Sequence, residues 1–418
     1  MTDGAWYVVA GAVLLGMAFS AAKIERLPLT TAMFYLAAGL ALGPTALGLF
    51  HFNPLEQSAL LELLTEIGVL ISVFAAGVKL APPVGDRLWW APFRLASVSM
   101  LVSVALMAAV GVAVLGLPIG AAVLLGAVLA PTDPVLATDV QVKAPGDDDR
   151  LRFSLTAEAG LNDGTAFPMV MLGLGLMGLH ELGDGFRLWW AIDVVWATLS
   201  GFAVGGALGA AAGWIAHRLS ASGFSNEFTE DLLGLGVIAT AYGISLLVLG
   251  YGFLAVFAAG FMLHRIETRL AARASSRRPD RPSPRAMSPV TLVFIEQLER
   301  LMEVALILLI GGMFFIDSWQ AQYVIAALLL LIVIRPVSVV VGLAGSREPW
   351  KRQAAIGWFG VKGIGSLYYL MYAIEQGVPA DTAVTLISTV LIVVALSIVL
   401  HGITVKPLLG VYSRGDRA

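Results

Sequence analysis

Cysteine is absent from the 418-residue chain, which excludes disulfides, thiol chemistry and Cys-ligated metals. Charge is nearly as scarce. Asp, Glu, Lys and Arg make up 13% of residues, against about 25% in a soluble domain of ordinary composition. No Walker motif occurs, so ATP is not expected as a partner or energy source. What fills the space is apolar: 58% of residues are hydrophobic and mean hydropathy is +0.85. Such a composition excludes a soluble globular protein and defines an integral membrane one. The net charge of −3 averages loops of opposite character and says nothing about partners.

A membrane-crossing helix takes roughly 20 mainly apolar residues. About thirteen such segments follow one another, near 5–22, 29–50, 60–81, 93–117, 119–139, 154–180, 188–216, 230–249, 251–264, 294–316, 321–344, 353–375 and 382–405. The first has no cleavage-site pattern and reads as a retained helix. The expected fold class is therefore an all-α polytopic membrane protein, with membrane lipid as its surroundings and residues 406–418 as a tail. The longest polar stretch, Arg265 to Pro289, is basic and proline-rich. It reads as a connector lying against anionic headgroups and is too short to suggest a nucleic-acid partner. Asp147-Asp148-Asp149 reads as a solvated turn.

The basic residues fix the orientation. With odd-numbered loops and the C-terminus placed on one side, that side holds all but four of the 26 Lys and Arg residues. The exceptions are Arg187, on the other side, and Arg300, Arg335 and Lys362, within spans. The positive-inside rule then puts the N-terminus outside and the C-terminus in the cytoplasm.

Two spans are interrupted. The fifth contains LAPTDPVLATDV, residues 129–140. Pro131 and Pro134 each remove a backbone donor and push the preceding residues, Ala130 and Asp133, from helical geometry. A plain proline kink would explain the prolines but not an aspartate beside them. The twelfth carries GWFGVKGIGSLYYL, residues 357–370, with four glycines around Lys362. Seven spans apart, the two run in opposite directions. Paired interruptions in inverted positions are the mark of a secondary transporter built from inverted repeats. The repeats are expected at about 1–180 and 230–405, joined by a linking helix at about 188–216. Where the breaks cross, Asp133 can offset converging helix N-termini and Lys362 converging C-termini; a role for Asp133 as a cation ligand stays open beside this.

The sixth span adds TAEAGLNDGTAFP, residues 156–168. Glu158 and Asn162, four apart, share a helix face, and Asp163 follows. Each charge at the centre of a span costs about 2.5–3.5 kcal/mol, so two carboxylates need a use or a partner. Arg335, in the eleventh span, is the evident partner for Glu158 through a bidentate pair. Asp163 is then left without a fixed cation. Burial without a counter-charge favours the neutral form of a carboxylate. Once ionised, the same group can hold a small hard cation with oxygen ligands from Thr132, Asn162 and backbone carbonyls. Proton and cation compete for one carboxylate, and that competition couples their exchange. The alternative for Asp163 is a helix N-cap in a misplaced loop. Glu66, in the third span, is either a further ligand or an ordinary polar residue near the outer half of its helix.

TDPVLA, followed about thirty residues later by E-x-x-L-N-D-G-T-A, resembles the monovalent cation–proton antiporters, in the NhaP-like branch that includes the eukaryotic sodium–proton exchangers. The resemblance covers nearly the whole chain. It implies that Asp163 is the exchange carboxylate with Asn162 beside it, that Thr132 and Asp133 form the unwound crossing, and that Glu158 pairs with Arg335. It also implies a homodimer of about thirteen helices per chain that alternates access by moving a core against a dimerisation domain. An Asn-Asp pair implies electroneutral exchange of one cation for one proton. Two positions depart from the family pattern. Ala159 stands where a serine hydroxyl commonly follows the glutamate, which removes one oxygen and leaves sodium, potassium and lithium open. Lys362 stands where many relatives have arginine and keeps the charge.

The reading is thus a cation–proton antiporter, with no enzyme activity and no cofactor besides the transported ions. Arginine in excess of lysine and abundant Ala and Gly fit a bacterial chain, hence an inner membrane. The alternative is a sodium-coupled symporter of organic anions on a related fold.

Overall fold

The computed structural model describes residue 27 and residues 29–137, 140–222, 226–277, 288–314 and 319–415, with scattered positions between 4 and 19. Among the described residues every regular element is a helix. The first expected span, 5–22, falls largely outside them. The helices are α1 (Thr31–Leu42), α2 (Ser58–Lys79), α3 (Arg87–Ala113) and α4 (Ile119–Leu129). Next come α5 (Arg150–Thr165) and α6 (Phe167–Leu176), one span bent at Ala166. The long α7 joins a π-helical stretch, Trp189–Trp196, to Ala197–Ser222. It is followed by α8 (Glu227–Leu247), α9 (Gly252–Arg277), α10 (Ser288–Met313) and α11 (Ala321–Gly342). The chain closes with the half-helices α12 (Trp350–Trp358) and α13 (Ile364–Glu375), then α14 (Ala380–Gly415).

Packing in lipid relies on close backbone approach rather than on hydrophobic burial from water. The glycine stripe of α7 shows how this is met. A β-carbon on Gly205 would lie 1.9 Å from the Ala255 carbonyl oxygen and one on Gly209 would lie 2.2 Å from that of Ala259, so only glycine lets α7 sit on α9. Gly201 and Gly213 continue the same face at four-residue spacing against Tyr251 and Leu263. Apolar side chains such as Trp190, Trp196, Leu199 and Trp214 stand exposed on the other faces of α7, where lipid is the natural neighbour.

Hydropathy marked where helices leave the apolar layer rather than where they end, and three expectations change on that account. The ninth segment is no short span: α9 runs on to Arg277, so Arg265 to Arg277 is helix and not loop. The remaining basic positions of that stretch, Arg278, Arg281 and Arg285, lie outside the described residues. At the C-terminus α14 continues past 405 and through Pro407 to Gly415, so most of the expected tail is helical. The aspartate run is more than a solvated turn. Asp149 caps α5, its Oδ1 accepting from the backbone N–H of Leu151 at 2.8 Å and of Arg152 at 3.3 Å. Asp147 pairs with Arg152 at 3.2 Å. Partial burial pulls the Asp147 carboxyl up, but the Asp149 N–H and the Arg152 guanidinium outweigh it and hold the group below its usual range.

Both breaks fall where the sequence places them. Helix α4 stops at Leu129, and α12 and α13 are separated by residues 359–363. The two interrupted segments meet in the core, where the Asp133 N–H donates to the Val361 carbonyl at 2.8 Å.

Candidate functional site: a buried carboxylate beside crossed helix breaks

The breaks leave backbone groups that lipid cannot satisfy, and each is answered from the opposite segment. Lys362 Nζ donates to the carbonyl oxygens of Ala130 at 2.5 Å and Pro131 at 2.9 Å, just past the last turn of α4. A cation at a helix C-terminus opposes the negative end of the helix dipole. Conversely, Asp133 Oδ2 accepts from the Ile364 N–H, the first of α13, while Oδ1 accepts from Val135 at 2.7 Å and Leu136 at 3.3 Å. Asp133 and Lys362 are 2% and 0% exposed. With both oxygens of Asp133 committed to backbone N–H groups, little remains for a cation.

Several residues with no signal in the sequence complete the crossing. Ser397 Oγ accepts from the Lys362 N–H at 2.8 Å, Gln141 Nε2 donates to the Pro134 carbonyl at 2.7 Å, and Thr156 Oγ1 accepts from the Val142 N–H at 2.9 Å. His401 faces the Trp358 carbonyl at the end of α12 through Nε2 at 2.7 Å. Ser397 and His401 are common polar types inside the long α14, Gln141 lies in the loop between α4 and α5, and nothing in their spacing singles them out.

Glu158 and Arg335 form a bidentate pair, Nη1 to Oε1 at 2.6 Å and Nη2 to Oε2 at 2.9 Å. Helix α11 is π-helical over Leu329–Ile334 immediately before Arg335, and Pro336 follows. The widened turn ends at the arginine. Arg335 Nη2 also reaches the Ile356 carbonyl at 3.3 Å, so the guanidinium joins α5, α11 and α12. Gly360 leaves room for it: a β-carbon there would stand 2.2 Å from Arg335 Nε.

Asp163 is 0% exposed, and neither carboxylate oxygen has a hydrogen-bond partner among the described residues. The adjacent Asn162 donates through Nδ2 to Thr132 Oγ1 at 2.9 Å, which leaves its own Oδ1 equally unpartnered. Asp163 lies within α5, four turns from its cap, so the N-cap reading does not apply. Asp133 and Lys362 are within electrostatic reach. Helix α13 comes close enough that a β-carbon on Gly365 would stand 3.0 Å from Asp163 Oδ1, and one on Gly363 would stand 2.3 Å from Asp133 Oδ2. The glycines of 357–370 are therefore the places where the second break presses on three charged side chains.

The structure thus gathers Thr132, Asn162 and Asp163 into one polar centre, with Asp133, Lys362, Glu158 and Arg335 packed round it. Glu66 is held by Tyr242, whose hydroxyl donates to its Oε1, and it stands beside Glu62. Ala159 is buried on the same helix and adds no oxygen.

Crossed interrupted helices around a buried carboxylate are the architecture of secondary transporters built from inverted repeats. The family model described as "Sodium/hydrogen exchanger, transmembrane" matches residues 10–411, and the chain belongs to that family. It is 25% identical over 384 residues to the K(+)/H(+) antiporter NhaP of Alkalimonas amylolytica, covering 90% of this chain and 61% of that protein. To the Na(+)/H(+) antiporter 2 of Zygosaccharomyces rouxii it is 33% identical over 197 residues, 44% of this chain and 24% of that one. The chain therefore spans less than two thirds of either relative's length. Among solved structures, the sodium proton antiporter MjNhaP1 of Methanocaldococcus jannaschii at pH 8 shares the fold, with a TM-score of 0.72, 20% identity and 96% of both chains covered.

Proposed function

We propose that the protein is a secondary antiporter that exchanges one monovalent cation for one proton at Asp163. The observation carrying this is the fully buried carboxylate with both oxygens unpartnered, beside the free Oδ1 of Asn162 and the hydroxyl of Thr132. Burial favours the protonated acid. The ionised form presents oxygen ligands to a hard cation, so the two occupants exclude each other.

The surrounding charges support a one-for-one ratio. Glu158 and Arg335 cancel, as do Asp133 and Lys362. With Asp163 protonated the cluster is neutral, and with Asp163 ionised and holding a monovalent cation it is neutral again. Either loaded form crosses the apolar layer without net charge, which supports electroneutral exchange. Asp133 and Lys362 serve to cap the breaks, and Glu158 with Arg335 holds α5 to α11. Relatives named for Na(+)/H(+) and for K(+)/H(+) antiport keep both cations in play, with sodium the first choice. Family membership favours antiport over symport of an organic anion. The excess of arginine over lysine and the abundant Ala and Gly favour a bacterial inner membrane, and the distribution of Lys and Arg favours a cytoplasmic C-terminus. The homodimer rests on the family resemblance, and the division into two repeats, about 1–180 and 230–405, rests on the paired interruptions in inverted positions.

Reconstituted vesicles with a pH-sensitive dye test the carboxylate directly. Asp163→Asn should abolish cation-evoked proton movement while the protein still elutes as a folded species. Retained exchange in that variant would falsify the mechanism.

A further inference from the structure

Tyr369 is fully buried, and its hydroxyl finds no hydrogen-bond partner among the described residues. A buried, unpaired hydroxyl leaves its desolvation uncompensated; others, such as that of Tyr251, share this state, and what sets Tyr369 apart is its place beside Asp163. Its place is set by the helix. Tyr369 is four residues after Gly365 on α13, on the same face, and long helical side chains lean toward the N-terminus over the preceding turn. That turn is Gly365, which carries no side chain and leaves the approach to Asp163 Oδ1 open. Asp163 is the foremost charged neighbour of the Tyr369 hydroxyl. The ring is held edge-on by Phe167 at 5.3 Å and Tyr368 at 5.4 Å between centroids, so the side chain is fixed on the face of α13 that approaches Asp163.

Resting on the exchange reading given above, we propose that Tyr369 supplies an oxygen ligand to the transported cation and is a specificity-determining residue. It takes the place of the hydroxyl that Ala159 withholds. The site would then be built from both interrupted-helix regions: Thr132 beside the first break, Asn162 and Asp163 from α5, and Tyr369 from α13.

Tyr369→Phe removes the oxygen and keeps the ring contacts. In vesicles, KM for the cation should rise roughly five- to tenfold, with maximal rate within about twofold and a changed ratio among Na⁺, K⁺ and Li⁺. Adding Ala159→Ser to Tyr369→Phe should recover part of the lost affinity. 4-Fluorophenylalanine at position 369, which fills the volume of the hydroxyl without donating, should behave as Phe does and serves if the Phe chain folds poorly. A KM within twofold of the parent in either replacement overturns the assignment. So does an unrecovered KM in the double variant, which would mark Tyr369 as packing. The exchange reading itself fails separately, through activity retained by Asp163→Asn.

Discussion

At the scale of single residues, the site was legible wherever a residue type is expensive in a membrane. Asp133, Glu158, Asp163, Arg335 and Lys362 each announce themselves, because an intramembrane charge demands an explanation. The Glu158–Arg335 pair is the clearest case, since two charges of opposite sign must meet or unfold the core. Tyr369 was not legible. One tyrosine among nine, set in an apolar helix, looks like any aromatic, and only a partnerless hydroxyl beside Asp163 distinguishes it. Removing one member of a buried pair costs about 3–5 kcal/mol. Glu158→Gln should therefore lower the melting temperature in detergent markedly. Arg335→Lys should do so too, because an ammonium cannot reproduce two parallel bonds. A melting curve unchanged in both would show that the pair contributes nothing to the fold.

At the scale of elements, both breaks could be placed to within a few residues, since Pro131, Pro134 and the glycine cluster act through backbone geometry alone. Helix ends in the cytoplasmic layer could not. The segment from Arg265 to Arg277 is charged and helical at once, and hydropathy sees only the charge. The individual glycines also had no separate meaning until their neighbours were known. Gly360 faces Arg335 Nε and Gly365 faces Asp163 Oδ1, at 2.2 and 3.0 Å from a β-carbon position, and this difference separates their effects. Gly360→Ala forces the guanidinium out of place and should cost about 1–3 kcal/mol of stability, as overpacked cores do. Gly365→Ala should leave the melting temperature near that of the parent but slow exchange, because the added methyl stands against Asp163, the carboxylate proposed to hold the cation. Paired melting and dye-quench assays on the two variants would read this, and the reverse pattern would contradict it.

At the scale of the whole molecule, the cysteine-free chain makes orientation simple to read. Asp148 and Glu181 are both exposed and lie beyond opposite ends of the α5–α6 span. Cysteines introduced there should react with an impermeant maleimide from opposite faces of the membrane, Glu181→Cys in intact cells and Asp148→Cys only after disruption. Labelling of both from outside would refute the assigned topology. The helical packing of the whole could not be read from sequence, because stripes such as that of α7 specify close approach without naming the partner. One feature of that packing limits how the protein can move. The carbonyls past α4 are satisfied by Lys362, and the first donor of α13 is satisfied by Asp133. Sliding one interrupted segment past the other would strip several buried polar groups of their partners at once, at several kcal/mol each. The two segments are thus locked like a dovetail joint. In the proposed exchange the site travels as a rigid cassette, and any sliding surface has to lie at the periphery of the crossing and never through it.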